Sequence, residues 1–109
     1  MRLLIYTRPN GTTPFTDWFE RLRDRQAKAR IALRLRQVEA ENLGDHKAVG
    51  QSVIELRIHV GPGYRIYCGR HGDEVVVLLS AGDKGSQETD IQQAQAFWRD
   101  WKDRRVDHG

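Results

Sequence analysis

The chain has 109 residues, of which 39% are hydrophobic and 30% charged, a composition typical of one ordered domain rather than of a disordered protein. Eighteen Lys and Arg residues against fifteen Asp and Glu residues give a formal net charge of +3, which permits a polyanionic partner without requiring one. The single cysteine, Cys68, excludes an internal disulfide, and no apolar run is long enough for a membrane span or a signal peptide. We therefore expect a cytoplasmic protein that does not contact a membrane.

The N-terminal half predicts one strand followed by two helices. Residues 3–7 are short and β-prone, and a turn signal follows them. Thr13 and Pro14 are typical of a helix start, and they precede an apolar stripe at helical spacing made of Phe15, Trp18, Phe19 and Leu22. A second stripe, made of Ala27, Ile31, Leu35 and Val38, predicts a helix that ends at residues 42–44. Residues 44–51 are predicted to form a loop.

The C-terminal half predicts three strands and a last helix. Apolar residues alternate with polar ones over residues 53–60 and again from Tyr64, with a strong turn signal at residues 61–63 between them. Residues 75–79 form a continuous apolar run, which is typical of a strand covered on both faces, and residues 81–85 are predicted to form a loop. Ser86 is the predicted helix cap, and the buried face of the helix after it is marked by Ile91, Ala94, Trp98 and Trp101.

The predicted fold class is therefore α+β, with one domain over residues 1–109. We expect a small antiparallel-rich sheet with the N-terminal αα-hairpin packed on one face. The predicted order of elements is β-α-α-β-β-β-α.

The two alternating strands predict a polar patch on one face of the sheet. A three-residue loop at residues 61–63 sets Val60 opposite Tyr64, and the register then brings His59 opposite Arg65 and Arg57 opposite Tyr67. Opposed side chains lie about 5 Å apart, so the patch matches one nucleotide and its flanking phosphates in size. In this register Cys68 faces the core and is unreactive, and we assign Val76 and Leu78 to the face of the patch.

The residue types in this patch suit the cleavage of an RNA backbone by its own 2′-oxygen. Arg57 and Arg65 are suited to clamp a phosphate, since guanidinium groups bind it with two hydrogen bonds and keep their charge. His59 is a candidate for proton transfer, because an imidazole ring can accept or donate a proton, whereas Tyr67 is a candidate for stacking on a base or donating its hydroxyl. Lys84 is a further point charge at the edge, and the additional candidates for RNA binding are Lys47 and Arg70.

Other interpretations of the same residues stay open. The arginines can instead be solvated or paired with Glu55, which shares their face, and a polar sheet face can equally bind a protein. The basic run over residues 21–36 is typical of solvated helix surfaces, or else attracts ribosomal RNA or an acidic partner segment. We expect neither a metal nor a cofactor, because no metal-binding spacing connects the four histidines, which are His46, His59, His71 and His108.

Several motifs spread over roughly residues 15–101 resemble one known family. They are Phe15 with Trp18-Phe19 and Leu22; Ala29-Arg30-Ile31; Asn42-Leu43-Gly44-Asp45; Glu55-Leu56-Arg57; Gly61-Pro62-Gly63-Tyr64-Arg65-Ile66-Tyr67; and Gly82-Asp83-Lys84-Gly85-Ser86-Gln87 followed by Asp90-Ile91. With these motifs the chain resembles the RelE/ParE superfamily of toxins from toxin–antitoxin systems, in particular the HigB-like, phage-derived addiction module killer proteins.

The resemblance implies a RelE-like fold, a small sheet with two helices packed against it. It implies a cognate antitoxin, encoded downstream and carrying a helix-turn-helix domain, and a toxin that cuts mRNA on the ribosome without a metal, leaving a 2′,3′-cyclic phosphate. Arg57, Arg65 and Lys84 match the recurring basic positions of this branch. The chain has neither a lysine-rich catalytic strand nor a C-terminal catalytic tyrosine, so the resemblance leaves the general base open.

Three functional hypotheses follow. The first is a ribosome-dependent mRNA endoribonuclease that inhibits translation, and the second is a ParE-like protein that inhibits DNA gyrase by binding it. The third is a relic without toxicity that acts only with its antitoxin in transcriptional autoregulation. A phosphate clamp on the sheet face is required by the first hypothesis alone.

Overall fold

The computed structural model describes residues 1–106, and residues 107–109, with His108, lie outside this description. The described chain forms β1 (Arg2–Ile5), α1 (Pro14–Arg21), α2 (Arg25–Glu39), β2 (His46–Ala48), β3 (Val53–Ile58), β4 (Tyr64–His71), β5 (Val75–Asp83), a 3₁₀ turn (Lys84–Ser86) and α3 (Gln87–Val106). The strands form one sheet in the order β1-β5-β4-β3-β2, in which β1 is parallel to β5 and the other pairs are antiparallel. The α+β class is thereby confirmed, with a mixed five-stranded sheet and three helices.

The predicted order of elements is wrong at one place, because it omits β2. Residues 44–51 were expected to form a loop, but His46 pairs with Leu56 and Ala48 with Ile54 along the edge of β3. All three residues of β2 are exposed, so the strand has no alternation of apolar and polar side chains. The observed order of strands and α-helices is β-α-α-β-β-β-β-α.

Helices α1 and α2 cover one face of the sheet, as predicted. The cap of α2 is Asp24, whose Oδ1 accepts hydrogen bonds from the backbone N–H groups of Gln26 and Ala27 at 3.0 and 3.2 Å. The helix ends at Glu39 and not at residues 42–44, because Glu41 takes a left-handed conformation with φ of 69°. The buried core between these helices and the sheet consists of Phe15, Ile31, Val38, Leu56, Ile58, Ile66, Cys68, Val76 and Leu78.

Helix α3 covers the other face, and its predicted buried side is confirmed. Ala94 and Trp98 are buried, and Ile91 and Trp101 pack against them as partly buried side chains. The Trp98 ring lies directly on Gly69 of β4, where a Cβ atom would come within 2.1 Å of the ring. None of the helices within residues 1–106 is long and apolar enough to cross a membrane.

This close contact gives a test of how α3 is seated. We expect Gly69→Ala to lower the free energy of unfolding by roughly 1–3 kcal/mol, because the added methyl group forces the Trp98 ring and α3 away from the sheet. The measurement is urea unfolding followed by tryptophan fluorescence. Gly85→Ala is the control, since its nearest atom, Asp83 Oδ1, lies 3.2 Å from an added Cβ atom. Equal stability of the two variants would contradict this packing.

Strand β5 is longer than predicted and contains an irregularity. Residues 81–83, expected in a loop, continue to pair with β4 as far as Asp83 opposite Tyr64. Tyr67 pairs with Ser80 but Cys68 pairs with Leu78, so the residue between them is an extra one on β5. The extra residue changes the face to which the earlier side chains of β5 point. Val76 and Leu78 therefore lie in the core under α1 and α2, and their assignment to the face of the polar patch is wrong.

The start of α3 also differs from the expectation. Ser86 does not cap the helix but belongs to the 3₁₀ turn, and its hydroxyl donates to Asp90 Oδ2 at 2.5 Å. The Asp83 carboxylate instead accepts the N–H of Gly85 at 2.8 Å. Gly82 provides the space for this arrangement, because a Cβ atom there would lie 1.9 Å from Asp90 Oδ2.

Candidate functional site

The loop between β3 and β4 comprises residues 59–63, not the three residues that the turn signal predicts. Within it, the N–H of Val60 donates to the carbonyl of Ile58 at 3.0 Å, and the N–H of Gly63 donates to the carbonyl of Val60 at 3.1 Å. Val60 therefore belongs to the turn, and Ile58 takes the place opposite Tyr64. The predicted register is wrong by two residues.

A shift of two residues keeps every side chain on its predicted face, because the side-chain period of a strand is two. Arg57, Arg65 and Tyr67 still lie on one face, the face of α3, but their neighbours differ from those predicted. One row across the sheet contains Arg57, Arg65 and Gly82, and the next contains Lys47, Glu55, Tyr67 and Ser80. Glu55, not Arg57, is thus the residue opposite Tyr67.

Glu55 is the centre of the site, and its side chain is fully buried. Its Oε1 atom lies 3.2 Å from Arg57 Nε and 3.4 Å from Arg65 Nε. Its Oε2 atom accepts a hydrogen bond from Gln87 Nε2 at the start of α3, at 2.9 Å. The alternative that the arginines pair with Glu55 is therefore confirmed. Arg57 and Arg65 share this buried carboxylate and are called the arginine pair below.

Arg57 Nε donates a hydrogen bond to the carboxylate, whereas Arg65 Nε lies within ion-pair distance of it and has no hydrogen-bond partner among residues 1–106. Side-chain exposure is 31% for Arg57 and 14% for Arg65. Arg65 Nη1 lies 3.5 Å from the carbonyl of Gly63, and within residues 1–106 the terminal nitrogens of Arg57 have no hydrogen-bond partner. Two positive charges against one negative charge leave the pair with a net positive charge, which suits an anion.

Tyr67 lies below the arginine pair and is completely buried. Its hydroxyl has no hydrogen-bond partner among residues 1–106, and the same holds for the neighbouring hydroxyl of Ser80. Burial raises the pKa of Tyr67, and the negative charges of Glu55 and Asp90 raise it further. The expected stacking of a base on Tyr67 does not fit this arrangement, since the ring has no exposed surface.

His59 lies outside the arginine pair, contrary to the predicted contact with Arg65. It follows the end of β3, its side chain is 75% exposed, and its Nε2 atom lies 2.5 Å from Asp45 Oδ2. The hydrogen bond from His59 lowers the pKa of Asp45, and the nearby charges of Arg57 and Arg34 lower it further. Sequence reasoning did not single out Asp45, although it ends one of the motifs that carried the resemblance.

Arg34 of α2 is buried and connects Asp45 to the arginine pair. Its Nη2 atom donates to the carbonyl of Asp45 at 2.7 Å, and its Nε atom donates to the carbonyl of Arg57 at 3.4 Å. Burial lowers the pKa of Arg34. Gly44, with φ of 58°, allows this approach, because a Cβ atom there would lie 2.7 Å from Arg34 Nη1. Arg34 thus differs from the exposed arginines of the basic run, which are Arg21, Arg23, Arg25, Arg30 and Arg36.

The remaining predicted cations are Lys84, Lys47 and Arg70, which lie at three different places in the fold. Lys84 is exposed in the 3₁₀ turn, two residues after Gly82, which is the cross-strand partner of Arg65. Lys47 is exposed at the edge strand and pairs with Glu55 in the register. Arg70 is not brought to the site, because it pairs in register with Val76, whose side chain faces α1 and α2.

The other predicted chemistry concerns metals and thiols. Within residues 1–106 no three His, Cys, Asp or Glu side chains lie together as a metal site, and His108 lies outside the described residues. Cys68 is fully buried, as predicted, and burial raises the pKa of its thiol to about 12, which makes it a poor nucleophile.

Comparison with known proteins identifies the family. The model of the phage-derived Gp49-like proteins matches residues 17–97, a range that contains both members of the arginine pair, Glu55, Asp45 and Lys84. An uncharacterized protein of Haemophilus influenzae (strain ATCC 51907 / DSM 11121 / KW20 / Rd) is 40% identical over 84 residues, which cover 77% of this chain and 85% of the relative. The chain belongs to the Gp49-like family of phage-derived proteins, a family associated with toxin–antitoxin addiction modules.

Proposed function

We propose that this protein is the toxin of a type II toxin–antitoxin module and a ribosome-dependent mRNA endoribonuclease. The observation that carries the proposal is the arginine pair, in which two guanidinium groups lie 3.2 and 3.4 Å from one buried carboxylate and keep a net positive charge. The proposal also places the chain in the RelE/ParE superfamily, and this part of it rests on the resemblance of the motifs.

The arginine pair is the phosphate clamp of the proposed reaction. Each guanidinium group has a planar fork of donors that matches phosphate oxygens, and its charge persists at any working pH. Because Glu55 already fixes the Nε side of both groups, little side-chain entropy remains to be lost when RNA binds. Lys84 and Lys47 add positive charge at the two edges and attract the flanking phosphates.

Proton transfer is assigned to His59, and no metal takes part in the proposed mechanism. The 2′-oxygen attacks the phosphorus, the P–O5′ bond breaks, and the products carry a 2′,3′-cyclic phosphate and a 5′-hydroxyl. His59 accepts the proton of the 2′-hydroxyl, the leaving 5′-oxygen takes a proton from water, and the hydroxide left behind takes the proton from His59, which returns the ring to its neutral form. The arginine pair stabilises the negative charge that grows on the phosphate oxygens.

The partners of the proposed toxin are mRNA on the ribosome and a cognate antitoxin with a helix-turn-helix domain, encoded downstream. The antitoxin neutralises the toxin in a tight complex. No small-molecule cofactor is required, since the site already contains groups for phosphate binding and for proton transfer.

The proposed activity is tested by mapping mRNA 5′ ends after a short induction of the toxin in a bacterial host. We expect new ends at positions in phase with codons, and no new ends in a transcript whose start codon is removed. Purified toxin dialysed against a chelator should still cut mRNA in a reconstituted translation mixture. DNA breaks trapped on gyrase, or normal growth of the induced cells, would contradict the proposal in favour of gyrase inhibition or of a relic without toxicity.

A further inference from the structure

We propose that Asp45 is a positioning residue for proton transfer, which holds the His59 ring so that its Nδ1 atom receives the proton of the 2′-hydroxyl. This inference rests on the proposed function and adds to it a residue and a tautomer. The juxtaposition that carries it is the contact of His59 Nε2 with Asp45 Oδ2 at 2.5 Å, beside Arg57.

The contact decides which ring nitrogen of His59 is the base. A neutral imidazole has one N–H donor and one acceptor nitrogen, and an ionised carboxylate only accepts hydrogen bonds. Since the Asp45 carboxylate faces Nε2, the hydrogen of the neutral ring is on Nε2 and the lone pair is on Nδ1. Nδ1 is then the acceptor, and the exposed ring offers it to a bound RNA.

Asp45 is itself held firmly at this position. Its carbonyl oxygen accepts hydrogen bonds from Arg34 Nη2 at 2.7 Å and from the N–H of Arg57 at 3.1 Å. Arg34 is buried, so its side chain connects Asp45 to the body of α2. The charges of Arg34 and Arg57 also favour the ionised form of the Asp45 carboxylate, which is the form that accepts from His59.

The position of Asp45 relative to Arg57 connects the histidine to the phosphate clamp. The N–H of Arg57 donates to the carbonyl of Asp45 at 3.1 Å, which continues the pairing of β2 with β3 by one position beyond His46 opposite Leu56. Opposed residues of antiparallel strands have Cβ atoms about 5 Å apart. The contact of His59 with Asp45 therefore connects the histidine to the Arg57 end of the clamp, where we place the 2′-hydroxyl of a bound RNA.

A structural role alone would not explain this pair. Side-chain exposure is 75% for His59 and 47% for Asp45, and ion pairs at such exposed positions contribute little to stability. The carboxylate of Asp45 has one hydrogen-bond partner among residues 1–106, which is His59. Asp45→Asn should therefore leave the fold unchanged and affect the histidine.

The first experiment needs no activity. Nitrogen-15 NMR of the purified full chain at a pH where His59 is neutral reports which ring nitrogen carries the hydrogen, with His59→Gln used to assign the signals. We expect the Nε2–H form in the wild-type protein and a mixture of both forms in Asp45→Asn. A wild-type ring with its hydrogen on Nδ1 would overturn the inference.

The second experiment measures mRNA cleavage in a reconstituted translation mixture. We expect Asp45→Asn to lower kcat by about 10- to 100-fold with KM unchanged, a part of the 10²- to 10⁴-fold that acid–base catalysis provides. Asp45→Glu should recover part of the loss, and imidazole should partly restore His59→Ala. The matched control is Asp73→Asn, which removes another exposed ion pair, that of Asp73 with Arg70.

The two proposals fail in different ways. If the wild-type protein does not cut mRNA, the proposed function is wrong. If the wild-type protein cuts mRNA and Asp45→Asn has the same kcat as Asp73→Asn, the proposed function stands and the role of Asp45 is wrong.

Discussion

Replacement of Arg65 by alanine is expected to abolish growth arrest and to lower the rate of mRNA cleavage by roughly 10²- to 10³-fold, the usual effect of removing one donor to the transition-state charge. Arg65 is the more buried member of the arginine pair, and its guanidinium group is fixed by Glu55. Arg65→Lys keeps a positive charge near Glu55 but lacks the planar fork, so its cleavage rate should lie between those of the wild type and the alanine variant.

The controls for this prediction separate loss of function from loss of fold. In Arg65→Ala, Glu55 keeps its contacts with Arg57 and Gln87, so the variant should still fold and still copurify with the antitoxin. Arg23→Ala removes an exposed arginine between α1 and α2 and should arrest growth as the wild type does. Unchanged growth arrest by Arg65→Ala would contradict the clamp.

The sequence predicted which face of the sheet carries the site residues, but it did not predict which of these residues lie next to one another. Polar and apolar residues alternate along β3 and β4, and this alternation assigned Arg57, Arg65 and Tyr67 to one face even though the register was wrong. The register itself depended on the length of one turn, and Val60, an apolar residue, gave no sign that it belongs to that turn. Strand alternation therefore identifies a face, whereas the turn decides which residues meet on it.

Other features of the site had no local signal in the sequence. Arg34 lies in a run of arginines and differs from the rest only in its burial, which depends on where α2 packs against the sheet. The pair of Asp45 and His59 joins the residue before β2 to the residue after β3, and β2 is an exposed strand without alternation. The continuous apolar run of β5 has no alternation that reveals its bulge, so the orientation of Val76 and Leu78 was not predictable.

Replacement of Glu55 by alanine is expected to have the largest effect on stability of any change in the site. Two guanidinium groups then lie in a largely buried place without their shared carboxylate, and breaking a buried ion pair by removing one partner costs roughly 3–5 kcal/mol. Urea unfolding measures the loss. Glu55→Gln should cost less, because the amide keeps the shape of the side chain and an oxygen that can accept from Gln87 or from an arginine.

The same variants separate stability from clamp geometry. At a temperature where Glu55→Gln is folded, we still expect it to cut mRNA more slowly than the wild type. The reason is that Arg57 and Arg65 have lost the negative charge beside their Nε atoms. Glu20→Ala removes an exposed carboxylate on α1 and should change neither property.

In a double-mutant cycle, Glu55→Ala and Arg65→Ala together should cost less stability than the sum of the two single changes, because each removes the same ion pair. Additive costs would mean that the contact between Glu55 and Arg65 contributes no coupling energy, and the carboxylate would then not be the element that fixes the clamp.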